Sequence, residues 1–150
     1  MAAANLGELP GWASDLLERS PLGHLSYVDG EDRPRVLPVT FAVAEGTLWT
    51  AIDQKPKRRA GEVARVRYLR RRPQAALCVD HYEDDWSRLA WVQAVAAVEI
   101  VDSEAGHAAA TAGLERLCEK YRHYREDPPH GPFIALRPHR MLCWSAAGAS

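Results

Sequence analysis

Apolar and polar residues alternate along most of this chain with the two-residue period of a strand, and helical spacing interrupts that pattern in a few places only. Residues 22–28 set Leu22, His24, Ser26 and Val28 against Gly23, Leu25 and Tyr27, which predicts a strand. The turn Asp29-Gly30-Glu31-Asp32 comes next, and Asp-Gly between two alternating runs predicts a hairpin. Residues 35–44 form the second predicted strand, Glu45-Gly46 a tight turn, and 47–53 the third strand. There Leu48, Thr50 and Ile52 share one face while Trp49, Ala51 and Asp53 share the other. Residues 74–82 and the long run 88–101 are the fourth and fifth, separated by the acidic loop Glu83-Asp84-Asp85, and 133–144 is the sixth. Helical spacing appears at 14–19, starting near Pro10 and ended by Ser20-Pro21, then from Pro56 to the arginines before Pro73. It returns at 104–121, where Leu114, Leu117, Cys118 and Tyr121 make one apolar face. The loop from Asp127 to Pro132 stops that helix, and the tail 146–150 is expected to fray.

Six strands joined mainly by tight turns, with one helix between the third and fourth and another before the sixth, predict a mainly β protein. The expected architecture is a small six-stranded antiparallel barrel with a few flanking helices. A doubly wound parallel sheet needs regular strand–helix alternation, and the first three strands leave no room for it. No internal repeat or linker divides the chain, so residues 1–150 read as one domain with its core at about 14–145 and short tails. Neither a Gly-x-Gly-x-x-Gly nor a Gly-x-x-x-x-Gly-Lys loop occurs.

Composition narrows the classes further. With 47% hydrophobic and 26% charged residues the chain is ordinary for a globular protein. Residues 1–10 lack the basic start and apolar segment of a secretory leader, and no apolar run approaches the ~20 residues that span a bilayer, so a cytoplasmic protein with no membrane partner is expected. Cys78, Cys118 and Cys143 are odd in number, far apart and without a Cys-x-x-Cys pair, so they read as small buried apolar residues. His130 and His139 have no second ligand at metal spacing, Asp84-Asp85 reads as a solvated pair, and no metal site is expected.

The net charge of −1 conceals a local asymmetry: between Lys55 and Arg72 nine basic residues face one acid, Glu62. Arg70-Arg71-Arg72 precedes Pro73 at a helix C-terminus, where the dipole favours cations, so the triple is assigned to structure. Lys55, Lys57 and Arg58 stand at the helix start instead, where cations oppose the dipole. Positive charge placed there beside free backbone donors calls for an anion, and the corner predicts a phosphate site. Nucleic acid is disfavoured as the anion because aromatic residues are poorly interleaved with the block.

Several segments then match a known pattern. The stretches LGHLSYV at 22–28, DRPRVLPVTF at 32–41, LWTAIDQKPKR at 48–58 and RRPQAAL at 71–77 resemble the pyridoxamine 5′-phosphate oxidase-like, FMN-binding split barrels. With DHYEDDWSRL at 80–89 and Trp91-Val92, the chain is similar to the branch of coenzyme F420-dependent enzymes of the flavin/deazaflavin oxidoreductase B type, over about residues 14–145. The resemblance implies a Greek-key split barrel and a homodimer whose cofactor lies in a groove between two barrels. It implies that Pro38, Val39 and Thr40 line the ring system, that Thr50, Ala51, Ile52 and Asp53 contact the ring and ribityl portion, and that Lys55, Lys57 and Arg58 hold the phosphate. The arginine-to-lysine strand with which authentic pyridoxamine phosphate oxidases grip FMN is absent, which points away from that particular activity.

The implied activity is hydride transfer between F420 and a small unsaturated or carbonyl-containing substrate. No catalytic triad is required, because the cofactor carries the chemistry. Backbone N–H groups of Val39 to Phe41 would stabilise charge on the reduced ring. Trp86, in a polar loop, is placed over the neighbouring subunit's groove, whereas Trp91 reads as core packing and His24 as a satisfied or half-exposed histidine. His81 is either a surface polar residue or a proton donor facing substrate. FMN, or haem or biliverdin, in the same barrel is the second reading, and a non-catalytic cofactor-binding protein the third.

Overall fold

The computed structural model describes residues 1–52 and 62–148. Among them, eight strands form one antiparallel sheet: β1 (Ala2–Ala3), β2 (Gly23–Val28), β3 (Pro34–Val39), β4 (Ala42–Ala44), β5 (Thr47–Ala51), β6 (Gln74–His81), β7 (Ala90–Val101) and β8 (Phe133–Ser145). The helices are α1 (Gly11–Arg19), α2 (Ala64–Arg71), α3 (Ala108–Lys120) and α4 (Arg122–Glu126). This is the mainly β, antiparallel architecture that the alternation predicts, and it agrees with the split barrel that the resemblance implies.

Two strands beyond the predicted six have distinct origins. Residues 35–44 do not make one strand: the run breaks at Thr40-Phe41 into β3 and β4. The strand order β3-β2-β6-β7-β8-β5-β4 explains the break, because it puts β3 on one free edge and β4 on the other. A straight ten-residue strand cannot lie on both edges, so the chain must turn to cross the seam. The other addition is β1, where Ala2 pairs with Leu142 and the Met1 amino group donates to the Cys143 carbonyl at 3.0 Å.

Turn chemistry matches the residues closely in one hairpin and less closely in the other. Glu45 (φ 51°) and Gly46 (φ 75°) both take left-handed backbone between the paired Ala44 and Thr47, as a two-residue turn matching strand twist requires. The 29–33 loop is longer, closing on the Val28–Pro34 pair, and its left-handed residue is Asp32 (φ 63°) and not Gly30. Asp29 holds this loop: its buried carboxylate accepts from the amides of Glu31 (2.8 Å) and Arg33 (3.0 Å) and from the Arg33 guanidinium (3.1 Å). Burial alone would raise that carboxyl; these donors outweigh it and hold its pKa down at about 2.

The alternation in β5 sorts its side chains into two cores. Leu48 and Ile52 join the barrel interior with Leu25, Leu77, Val92, Leu136 and Met141, while Trp49 and Ala51 join a second cluster with Leu117, Tyr124 and Phe133 under α3. Gly113 is what lets α3 approach: a Cβ there would sit 2.5 Å from the Trp49 ring. The apolar face predicted for 104–121 is present, with Leu117 buried and Leu114, Cys118 and Tyr121 packed around it. His107 starts α3 by accepting from the Ala110 amide at 3.1 Å. The triple arginine is structural where it is paired: Arg70 bridges Glu62 and Asp102, and Arg72 meets Asp32.

Two readings of single residues need correction. Trp91 is not core: it begins β7 on the outward side and is 36% exposed. Of the cysteines only Cys143 is fully buried, because Cys78 also points to the outward side of its strand and Cys118 sits at the margin of the second cluster. Among the described residues no helix is long and apolar enough to cross a membrane.

Candidate cofactor site

Five strands carry an outward face that no helix seals among the described residues. Register places Pro38, His24, Cys78, Gln93 and Leu142 in one row across β3, β2, β6, β7 and β8, and Val36, Ser26, Ala76, Val95 and Arg140 in the next. None of these side chains is fully buried, although most are apolar or small. Asp80 lies opposite Trp91, and Trp91 opposite Trp144, so two indoles and a carboxylate form a third row. Trp86 stands at the same end of β7, in a short turn that the Asp85 carboxylate caps through the Ser87 amide, and is 68% exposed. Beside this face a cavity of about 300 Å³ is lined by Arg19, Ser20, Leu22, His24, Asp80 and His81. His81 Nε2 lies 2.5 Å from the Glu83 carboxylate.

The predicted ring-lining residues divide here. Pro38 is exposed on the edge strand, Val39 turns into the core, and Thr40 is half-buried at the seam. Thr40 Oγ1 shares a hydrogen bond with the Tyr124 hydroxyl at 2.8 Å. The Phe41 amide donates to the Tyr121 hydroxyl at 3.1 Å, so it is not free to stabilise a reduced ring as the sequence suggests. Thr50, Ala51 and Ile52 are covered on both sides, since β5 is sandwiched between the two cores, and the Ile52 amide donates to the Pro132 carbonyl at 3.1 Å. Asp53, Lys55, Lys57 and Arg58, with the predicted helix start at Pro56, lie outside the described residues.

The helix beyond that corner carries a further cation. The helix predicted to run unbroken from Pro56 is not continuous: Glu62 and Val63 are non-helical, Val63 being extended (φ −61°, ψ 149°) with no side-chain capping hydrogen bond, so α2 starts only at Ala64. One residue on, Arg65 Nε is buried with no hydrogen-bond partner among the described residues. Burying a guanidinium N–H without a partner is costly, which singles Arg65 out among the cations of this block. In the sequence Arg65 is only one charge in the block; its place in the first turn of the helix is the signal that sets it apart.

Electrostatics at the seam are equally specific. Lys120 Nζ sits 3.8 Å from the Phe41 ring centroid and donates to the Leu17 carbonyl at 3.2 Å. Burial lowers its pKa to about 8, with Glu18 raising it and Arg116 lowering it further. Burial pushes the Tyr121 phenol up, partly offset by the Phe41 amide. A second cavity, of about 200 Å³, adjoins Lys120, Arg116, Glu119 and Glu18. Among the described residues no group of three or more His, Cys, Asp or Glu side chains is placed to hold a metal ion.

Comparison with known proteins gives this geometry a setting. Residues 11–145 match the family model described as pyridoxamine 5′-phosphate oxidase. No curated protein matches the chain. Among solved structures, a conserved hypothetical protein of Mycobacterium tuberculosis is similar at a TM-score of 0.67 and 19% identity, over 96% of this chain and 88% of that one. An FAD-binding protein of Mesorhizobium loti is similar at 0.59 and 14% identity, over 95% and 99%. A heme-binding protein of Mycobacterium smegmatis is similar at 0.61 and 17% identity, over 94% and 60%. At these identities the likeness is one of fold.

Proposed function

This chain belongs to the pyridoxamine 5′-phosphate oxidase family, and on that premise we propose that it is an F420-dependent oxidoreductase acting as a homodimer. The observation that carries the reading is Arg65 Nε, buried at the start of α2 with no hydrogen-bond partner among the described residues, seven positions after Arg58 in the stretch of sequence that also supplies Lys55 and Lys57. These cations would hold the phosphate end of the cofactor. Pro38, exposed on the edge strand, and Thr40 at the seam would border its ring, while the covered Thr50, Ala51 and Ile52 would support the ring's surroundings from beneath. When bound, the deazaflavin supplies a hydride carrier that needs no catalytic triad.

The chain's own part is to bind, orient and exclude water. A second copy laid on the outward face would cover Val36, Ala76, Val95 and the paired Trp91 and Trp144, and would complete the groove with Trp86. The 300 Å³ cavity beside His24 and His81 suits a small substrate, with His81 positioned to deliver a proton to a polarised oxygen. FMN or haem in the same barrel is the second reading, favoured by the FAD-binding and heme-binding relatives. Storage without turnover is the third.

Fluorescence titration with F420 and with FMN, on wild type, Lys57→Ala and Arg65→Met, tests the proposal. Micromolar or tighter F420 binding and weaker FMN binding are expected, with a loss of about 1.5–3 kcal/mol for Lys57→Ala if its charge-assisted bond is direct. Tight FMN with no measurable F420 affinity would transfer the assignment to the second reading, as would an intense Soret band in the purified protein for haem.

A further inference from the structure

We propose that Tyr121 and Tyr124, at the break between α3 and α4, are positioning residues that set the geometry of the cofactor-facing seam at Thr40-Phe41, an inference that rests on the cofactor reading above. The seam has an unusual need. Its two residues cross between the free edges of the sheet, so neither belongs to a described strand. Backbone groups left without a ladder in a half-buried place require other partners. Tyr121 meets that need at Phe41: its hydroxyl accepts from the Phe41 amide at 3.1 Å and lies within donating distance of the Phe41 carbonyl (3.1 Å) and the Pro21 carbonyl (2.9 Å). Tyr124 holds the adjacent Thr40 hydroxyl at 2.8 Å. The two rings meet edge to face, with centroids 5.7 Å apart, so each packs against the other beside the seam.

Local backbone explains how one short segment reaches the seam. Tyr121 has φ −117° and ψ 120°, extended backbone that ends α3 and starts α4, and its ring packs against the second core while its hydroxyl reaches the seam. The neighbouring Arg116 extends the same contact by donating from Nε to the Val43 carbonyl at 3.2 Å, in β4. The orientation of the half-buried Thr40 hydroxyl is thus set by a residue 84 positions away in sequence. A turn fixed from behind keeps Pro38 and Thr40 at a constant separation, which a planar ring bound against them requires.

The test compares Tyr121→Phe and Tyr124→Phe with Thr111→Val, which removes a hydroxyl bonded to the Glu104 and His107 carbonyls at the far end of α3. FMN and F420 affinities, the visible band of bound FMN at saturation, and Tm are measured for each. Tyr121→Phe is expected to bind either cofactor about tenfold more weakly and to shift the bound-flavin band, because it removes the hydroxyl that holds Phe41 and Pro21 at the seam. Thr111→Val should lower Tm comparably and leave affinity and band unchanged. If Tyr121→Phe fails to fold, Tyr124→Phe carries the same expectation through Thr40. Wild-type affinity and an unshifted band in the tyrosine variants, or an equal change in Thr111→Val, would overturn the inference while leaving the cofactor reading intact. A wild type that binds neither cofactor would overturn both.

Discussion

The two faces of the same five strands have opposite fates. Leu25, Leu77, Val79, Val92 and Met141 on the inner face are sealed, whereas Val36 at 67% exposure, Trp91 and Trp144 on the outer face remain open to solvent. Each strand supplies both faces through its two-residue alternation, so the difference is not one of strand type. It lies in what each face meets. The inner one curls onto itself and onto α1 and α2, whereas the outer one borders α1 only at the cavity beside His24 and Asp80 and leaves Val36, Trp91 and Trp144 exposed. A face that is apolar yet uncovered stabilises the monomer little and is available for a partner.

Substitutions on either side sharpen that contrast. The largest effect is expected at Leu136→Ala, inside the barrel core, where a cavity costs about 2–5 kcal/mol in urea unfolding. Next comes Gly113→Ala in the second core: its methyl would press on the Trp49 ring, and overpacking costs about 1–3 kcal/mol by the same measurement. Ala76→Glu, in the middle of the outer face, should change unfolding of the isolated chain by no more than about 0.5 kcal/mol. It should nevertheless shift sedimentation from dimer to monomer and weaken F420 binding, and a variant that stays dimeric would remove this face from the proposed interface.

The remaining effect shows only against pH and concerns Lys120. Its folded pKa of about 8 lies below the ordinary 10.5 because burial penalises the charged form. Between those values the unfolded chain holds a proton that the folded one has released, so this group's contribution to stability rises with pH across that window. That contribution is fully present above 10.5 and lost as pH falls through 8. Lys120→Met should therefore flatten the difference in urea midpoint between about pH 7.5 and about pH 10 by the part that Lys120 supplies; an unchanged difference would mean that the amine titrates as in solvent.

Strand positions were legible because each depends on local alternation. The Glu45-Gly46 turn was legible for a related reason: both residues must take left-handed backbone, and the flanking alternation showed where they stood. The break at Thr40-Phe41 was not, since 35–44 alternates well enough to pass for one strand. Only the meeting of β3 and β4 on opposite edges forces it. Trp91 misled in the same manner, because alternation says which residues share a face and not which face is covered. Pro38 and Thr40 were found at the open edge and the seam, whereas Val39, Thr50, Ala51 and Ile52 proved covered. Tyr121 was read as part of an apolar helix face, yet its hydroxyl finds partners at Pro21 and Phe41, which lie 100 and 80 positions away along the chain.

By itself, then, the order of residues determined the mainly antiparallel character, the hairpins, the helix faces and the concentration of cations between Lys55 and Arg72, since each arises from neighbours a few positions apart. Tertiary structure decided which sheet face is sealed, that Arg65 Nε is buried without a partner among the described residues, and which side chains replace the missing ladder at the barrel seam. Those outcomes depend on the distances between remote segments once the sheet has curved, and a linear pattern holds no record of such distances.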